Sequence, residues 1–295
     1  MLKKIFKKLM WYKNALLKFL GVKRSYRINN HTIKIDFTHK LPDYQNANPL
    51  YDRFLPHLVK YLPEKSVVID VGANVGDTLA GMAGSNDKLK YLCIEASKDF
   101  FSDLKKNTDS LLAQNSNLQI SLVNEFVGKD LTDVEMLGHG GTKKAVVGGG
   151  DIKSKTMFSI INDLNIKYSN VSLLKSDVDG FDWDVIRSSY KLLEHNPYVF
   201  FECQYDNHEQ LKSYKNLFSE MVSIGYSKFA FFDNFGQYLL STESLGTVSQ
   251  LLNYVKKQNF NNSTRTIYYY DVLAYTDIKT SETESIIDAY NSLLI

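Results

Sequence analysis

Ser66-Val-Val-Ile-Asp-Val-Gly-Ala-Asn-Val-Gly-Asp-Thr78 is the stretch on which the fold is read. An apolar run carries Asp70 to the end of a strand, Gly72 and Gly76 follow four apart, and a helix start comes next. Glycine at such a turn lets the backbone approach a ligand closely, because no Cβ intervenes. A dinucleotide site would need G-x-G-x-x-G, with pyrophosphate on the helix N-terminus. Here Asn74 stands where the second glycine belongs, so a ligand without phosphates fits better. Asp70 is expected to accept hydrogen bonds from, or pair with, an amino-acid ammonium.

The next strand, Lys90-Tyr-Leu-Cys-Ile-Glu95, ends in a carboxylate 19 residues after Gly76. In nucleoside-binding α/β folds an acid at this position accepts hydrogen bonds from the two ribose hydroxyls. Asp70, Gly72, Asn74, Gly76 and Glu95 together define a cofactor site for S-adenosylmethionine (SAM).

Working outward, strand candidates at Val67–Val71, Tyr91–Glu95, Ile120–Glu125, Val171–Asp177 and Val199–Cys203 alternate with helix candidates. The helices are expected at Thr78–Ala83, Lys98–Asn107, Phe181–Leu193 and Glu209–Ile224. That alternation signals a parallel sheet with crossover helices. After Gly225 the pattern changes: Lys228–Phe232 and Gln237–Leu240 flank a turn, a helix covers Val248–Lys257, and Arg265–Tyr275 reads as a strand. Ahead of the sheet, Arg27–Phe37 reads as a hairpin turning at Asn29-Asn30, and Tyr51–Leu62 as a helix. Gly138–Gly150 holds six of the sixteen glycines and reads as a mobile loop. His139 within it is expected to be solvated rather than to meet a substrate.

A second dense patch is Leu173-Leu-Lys-Ser-Asp-Val-Asp-Gly-Phe-Asp-Trp-Asp-Val-Ile186. A strand delivers Asp177 and Asp179 to its carboxyl end, the edge at which open α/β sheets bind ligands. Asp182 and Asp184 fall in the first turn of the following helix, where the dipole favours acids, and read as structural. The next strand brings Glu202 to the same edge. Methylating a hydroxyl requires a base within hydrogen-bond reach or a metal that acidifies the hydroxyl. Asp177, Asp179 and Glu202 are therefore the catalytic candidates, and as oxygen donors they also suit Mg²⁺ or Mn²⁺. The sequence leaves metal use open.

The two patches together resemble the FkbM-type family of SAM-dependent methyltransferases. The resemblance runs over Val68-Ile-Asp-Val-Gly-Ala-Asn-Val-Gly76, Ile94-Glu95, Leu174-Lys-Ser-Asp-Val-Asp-Gly-Phe-Asp-Trp-Asp184 and Val199-Phe-Phe-Glu202. It implies a Rossmann-like class I methyltransferase, a mostly parallel seven-stranded sheet with helices on both faces. It also implies O-methylation of a sugar, glycan or polyketide-type hydroxyl. Two positions depart from the family pattern: Asp179 stands where Glu is frequent, and Ser159-Ile-Ile-Asn-Asp163 where a Leu-Asp pair is frequent.

The chain has 295 residues with 35 basic and 33 acidic side chains, but the balance is uneven. Residues 1–24 carry Lys3, Lys4, Lys7, Lys8, Lys13, Lys18, Lys23 and Arg24 and no acid. That leaves 27 basic against 33 acidic groups, about −6, in residues 25–295. A net-acidic body excludes a general nucleic-acid binder, which needs a basic one. A flipped-base methyltransferase is excluded too, since Asn196-Pro197-Tyr198 has one proline and lies ahead of the fifth strand.

Leu2 to Leu20 reads as a basic amphipathic helix with Leu2, Ile5, Phe6, Leu9, Tyr12, Leu16, Phe19 and Leu20 on one face. Two readings stay open for it: contact with an anionic membrane surface, or docking on the body or a partner. No run reaches the roughly 18–20 apolar residues of a membrane span. Two cysteines, Cys93 and Cys203, are too few for a disulfide scaffold and are expected in the core. The expected organisation is a basic helix (1–24), a hairpin and helix extension (25–64) and a methyltransferase domain (65–295). The expected setting is cytoplasmic, with peripheral contact at the inner face of the cell membrane left open. The clusters Tyr268-Tyr-Tyr270 and Phe229–Phe232 are expected to pack strands rather than stack on sugar rings. The expected function is O-methylation of a sugar or glycan hydroxyl, and the alternative is a non-catalytic adaptor recruiting partners through its helix.

Overall fold

The computed structural model describes residues 2–129, 134–137, 144–147, 153–261 and 265–294. Helix α1 (Leu2–Phe19) leads into a hairpin, β1 (Lys23–Ile28) and β2 (His31–Asp36), then α2 (Leu41–Ala47) and α3 (Phe54–Leu58). The main unit then runs β3 (Val67–Val71), α4 (Asp77–Ala83), β4 (Lys90–Ile94), α5 (Lys98–Gln114) and β5 (Gln119–Val123). A small hairpin follows, β6 (Val134–Leu137) and β7 (Lys144–Val147), then α6 (Met157–Asp163), β8 (Val171–Ser176), α7 (Asp182–Ser188) and α8 (Tyr190–Leu193). The chain closes with β9 (Tyr198–Cys203), α9 (His208–Ser223), β10 (Lys228–Asp233), β11 (Tyr238–Thr242), α10 (Leu245–Asn261), β12 (Tyr270–Tyr275) and α11 (Thr280–Asn291).

The central sheet has the order β11-β10-β12-β9-β8-β3-β4-β5. The five strands from β5 to β9 pair in parallel, and β12, β10 and β11 add antiparallel neighbours. Seven strands were expected and eight are present among the described residues, because Tyr238–Thr242 pairs with β10 as an additional edge strand. Alternate residues of β3 serve opposite faces, as strand geometry requires. Val68 joins one core with Ile33, Leu58, Leu79, Leu104 and Tyr290. Val67, Ile69 and Val71 join the other with Met157, Val185, Phe218 and Leu252. Residues 25–64 thus share the core of one face with the sheet. Cys93 and Cys203 are fully buried, one in each core, as expected. Phe229, Phe231 and Phe232 are buried as well, in line with strand packing.

Other differences have local causes. The helix expected over Tyr51–Leu62 shrinks to α3 plus a 3-10 turn at Val59–Tyr61, because Asp52 takes a left-handed backbone at φ 57°. Phe181–Leu193 divides into α7 and α8 at Ser189. The hairpin turn at Asn29-Asn30 forms as expected, with Ile28 opposite His31 and Asn29 at φ 51°. Lys144–Val147, inside the glycine-rich patch, pairs with Val134–Leu137 as a strand rather than belonging to a loop. His139 lies outside the described residues.

Candidate active site

The motif strand β3 is buried along its whole length and ends at Gly72, whose φ of 78° only glycine adopts freely. Space forbids any side chain there as well: a Cβ on Gly72 would lie 1.9 Å from the Asp177 carbonyl oxygen. The turn is secured by Gly72 and Ala73 amides donating to Ile94 O at 2.9 and 3.1 Å. Gly76, at φ 87°, begins α4 and leaves room for Leu104 against the helix, 2.9 Å from where its Cβ would be.

Glu95 is buried at the end of β4, and its carboxylate accepts from the Asn74 amide at 2.9 Å and the Ser97 amide at 2.8 Å. Burial raises its pKa, and these two amide hydrogen bonds oppose the rise. Ser97 in turn caps α5, accepting from the Phe100 amide at 3.5 Å. Gly72, Asn74, Glu95, Phe100 and Phe126 thereby line a cavity of about 480 Å³. Its size falls within the roughly 300–1,000 Å³ of small-molecule sites.

Asp70 lies elsewhere. It is fully buried beneath the cavity floor, does not line it, and has its Oδ1 2.8 Å from the Lys175 Nζ. The expected direct contact with a ligand ammonium is replaced by an internal one. Lys175 also donates to Gly72 O at 3.1 Å and stands 3.6 Å from Asp177 Oδ2. Burial alone would lower the lysine pKa, but facing Asp70 and Asp177 overrides this and raises it, so Lys175 stays charged. Burial raises the Asp70 pKa, and Lys175 offsets part of that rise. The sequence reading missed Lys175. Its signal is a charged residue within the buried strand Val171–Ser176, in parallel register with Asp70.

The same cavity brings Asp177, Asp179 and Glu202 together, as expected from the order of strands, with Asp177 directly beside the Gly72 turn. Asp179 and Gly180 both have positive φ, 53° and 99°, so the loop after β8 bends sharply. Asp182 braces that bend from below. Its buried carboxylate accepts from Ser176 Oγ at 2.6 Å, the Val178 amide at 3.2 Å and the Tyr214 hydroxyl at 3.2 Å. Burial pushes its pKa up to about 6. Asp184, also buried, accepts from the Lys129 amide at 2.8 Å, so the structural reading of both acids fits their contacts.

Other cavity residues came unannounced. Tyr44, Tyr51 and Asp52 arrive from the segment before β3, Tyr268 and Tyr269 from the approach to β12, and Asp271 from the start of that strand. Only Tyr270 of the tyrosine triplet takes the packing role expected of all three, because the strand starts there. Tyr44 and Tyr51 stack with ring centroids 5.1 Å apart. Asp271 is opposite Glu202 in the antiparallel β9–β12 register, so two carboxylates meet at the cavity wall. Asp52 is open to the cavity yet surrounded by protein, and desolvation with Asp77 and Asp177 nearby pushes its pKa up to about 8. Burial, together with Asp177, Asp179 and Asp271, pushes Glu202 well above the ordinary carboxylate range. Among the described residues no group of three or more His, Cys, Asp or Glu side chains is arranged to hold one metal ion.

A parallel sheet of this order, with a glycine turn after its first strand and an acid after its second, defines a class I methyltransferase fold. The methyltransferase FkbM domain model matches residues 70–231. The chain belongs to the FkbM methyltransferase family. Solved structures similar to the chain include methyltransferase FkbM from Methylobacillus flagellatus KT, at 14% identity and TM-score 0.47, covering 79% of this chain and 50% of that one. Precorrin-6y C5,15-methyltransferase from Geobacter metallireducens GS-15 aligns at 11% identity and TM-score 0.41, over 76% of this chain and 87% of that one. TYW2 from M. jannaschii in complex with AdoMet aligns at 8% identity and TM-score 0.44, over 85% of this chain and 84% of that one. This chain thus spans about half the length of the FkbM structure it matches. No curated protein matches it.

Proposed function

We propose that the chain is a SAM-dependent O-methyltransferase whose acceptor is a hydroxyl of a sugar or glycan, working at the inner face of the cell membrane. The observation that carries this reading is one cavity whose lining combines two unlike sets of residues. Gly72, Asn74 and Glu95, with Phe100 and Phe126, suit a nucleoside: Glu95 keeps acceptor capacity for ribose hydroxyls, and phenyl rings suit a flat base. The rest of the lining combines tyrosines with carboxylates, which stack on sugar rings and accept hydrogen bonds from their hydroxyls.

SAM, when bound, supplies a methyl group on a cationic sulfonium. The surplus of carboxylates around the cavity favours that cation over the neutral sulfur of the product, which assists product release. On the protein side, Glu202 is the group to take the hydroxyl proton. The carboxylates of Asp177, Asp179 and Asp271 raise its pKa, and a more basic carboxylate is a better general base. Tyr44, Tyr51 and Tyr268 orient the acceptor and exclude water. Lys175 acts through Asp70, Gly72 and Asp177 and is a positioning residue.

Purified protein incubated with methyl-labelled SAM and a glycan panel, with and without EDTA, tests the reading: label should enter a glycan at the same rate in both. No calorimetric SAM affinity would sink it. Glu202→Gln should cost about 10²–10⁴-fold in turnover with SAM affinity kept. Because the base must be deprotonated, wild-type turnover should rise with pH through the raised carboxylate pKa, and the variant should lose that limb. A variant with a wild-type pH profile would remove Glu202 from the role.

A further inference from the structure

From Leu9 onward, helix α1 leaves its apolar stripe uncovered. Leu9 is 62% exposed, Leu16 57% and Phe19 86%, and Tyr12 and Leu20 on the same face are exposed as well. No other element packs extensively on α1 among the described residues. The helix is nevertheless fixed at its root. Lys18 stands 3.8 Å from Asp36, and Lys23 pairs with both Asp36 and Asp103. Arg24 donates to His39 O at 2.8 Å. His39 and the exposed Lys40 line the cavity, so α1 springs from the cavity rim.

We propose that α1 seats the cavity rim on an anionic lipid surface, and that the acceptor is a glycan anchored in that surface. Charge selects this occupant. Lys18, Lys23 and Arg24 are engaged with the body, while the sequence of residues 1–24 carries Lys3, Lys4, Lys7, Lys8 and Lys13 as well and contains no acid. A protein groove would need acidic walls to match, whereas a bilayer with anionic headgroups offers negative charge above an apolar layer, the profile of a lysine-rich amphipathic helix. Residues 25–295, at about −6, are repelled by the same surface, so the helix alone sets the orientation. No described helix is long and apolar enough to cross a membrane, which fits a helix lying in the interface. The acceptor part of the inference rests on the methyl-transfer reading; the seating part does not.

The full chain is mixed with phosphatidylcholine vesicles containing either no or 30% phosphatidylglycerol, at low and high salt, and sedimented. Binding should require the anionic lipid, weaken at least tenfold in high salt, and weaken at least tenfold in Leu16→Glu/Phe19→Glu, whose melting temperature and calorimetric SAM affinity should match wild type. Orientation is read by a fluorophore on Lys40→Cys or on Lys88→Cys, at the opposite edge of the sheet, with Cys93 and Cys203 buried and silent. Nitroxide headgroup lipids should quench the label at position 40 and spare that at 88. Labelled SAM with a membrane glycolipid fraction dispersed in the anionic vesicles should place label in the lipid phase. Equal binding to neutral vesicles, binding indifferent to the double variant, equal quenching at both positions, or a dimer formed through the stripe would each overturn the seating. Loss of SAM affinity alone would instead sink the enzyme reading.

Discussion

Removing the Lys175 ammonium would leave Asp70 as an uncompensated carboxylate in the sheet interior, since no cavity surface reaches it. Breaking one partner of such a buried pair costs about 3–5 kcal/mol, whereas removing both is far milder. Lys175→Met should therefore lower unfolding free energy by that amount in denaturant titration, and Lys175→Met/Asp70→Asn should recover most of it. A simple sum of the two single effects would show that the pair is not coupled. Asp182 gives a prediction of opposite sense. Its folded pKa of about 6 lies above the unfolded value of 3.8, so the folded state holds its proton more tightly. Its favourable contribution is complete below the unfolded value and is lost as pH rises through about 6, by a few kcal/mol in all. Asp182→Asn keeps the acceptor for Ser176 and Val178 and cannot ionise. Relative to wild type it should gain stability between pH 4 and pH 7, and a difference flat with pH would refute the assignment. Of these two residues, Asp182 was legible in sequence as a first-turn acid. Lys175 required knowing which strands are neighbours.

The residues proposed for the cofactor come from contiguous elements, β3 with its turn and β4 with its terminal acid, and such local spacing is what a sequence displays directly. Those proposed for the acceptor are assembled from the segment around Tyr51 and Asp52, from the end of β9 and from the approach to β12 and its start, far apart in the chain. Nothing in the pattern near Tyr51 announces that Leu50, its neighbour, rests on the β10–β11 turn. Gly236 in that turn has φ 83°, and a Cβ there would lie 2.2 Å from Leu50 O. The Tyr290 hydroxyl stands 2.8 Å from Gly236 O and 3.3 Å from Leu50 O, tying α11 to both. Gly236→Ala should push this segment outward and carry Tyr51 and Asp52 with it. The expected result is an acceptor KM raised about tenfold, the equivalent of 1.4 kcal/mol, with SAM affinity kept within twofold because the β3–β4 residues are untouched. Equal losses in both would mean that the segment does not serve acceptor binding selectively.

At the scale of the molecule, one sheet separates two cores, and residues 25–64 fill part of one of them rather than forming an appendage. Composition could bound the size of the core but not its division between faces, which depends on which side each helix crosses. The two cysteines report on the two sides. Cys93 on β4 belongs to the core containing the hairpin, α3 and α11, and Cys203 on β9 to the core containing α9 and α10. Strands β3 and β8 lie between them. Three interstrand spacings of roughly 4.8 Å each exceed the reach of a disulfide, so both thiols stay free while the sheet is intact. Because every residue of β3 is buried and its alternate side chains serve both cores, neither face can open without exposing the shared strand. The two thiols should therefore be silent to a thiol reagent in the native protein and become reactive together along a guanidinium titration, at the midpoint seen by circular dichroism. Reaction of Cys93 at a lower denaturant concentration than Cys203 would show instead that the face carrying residues 25–64 unfolds on its own.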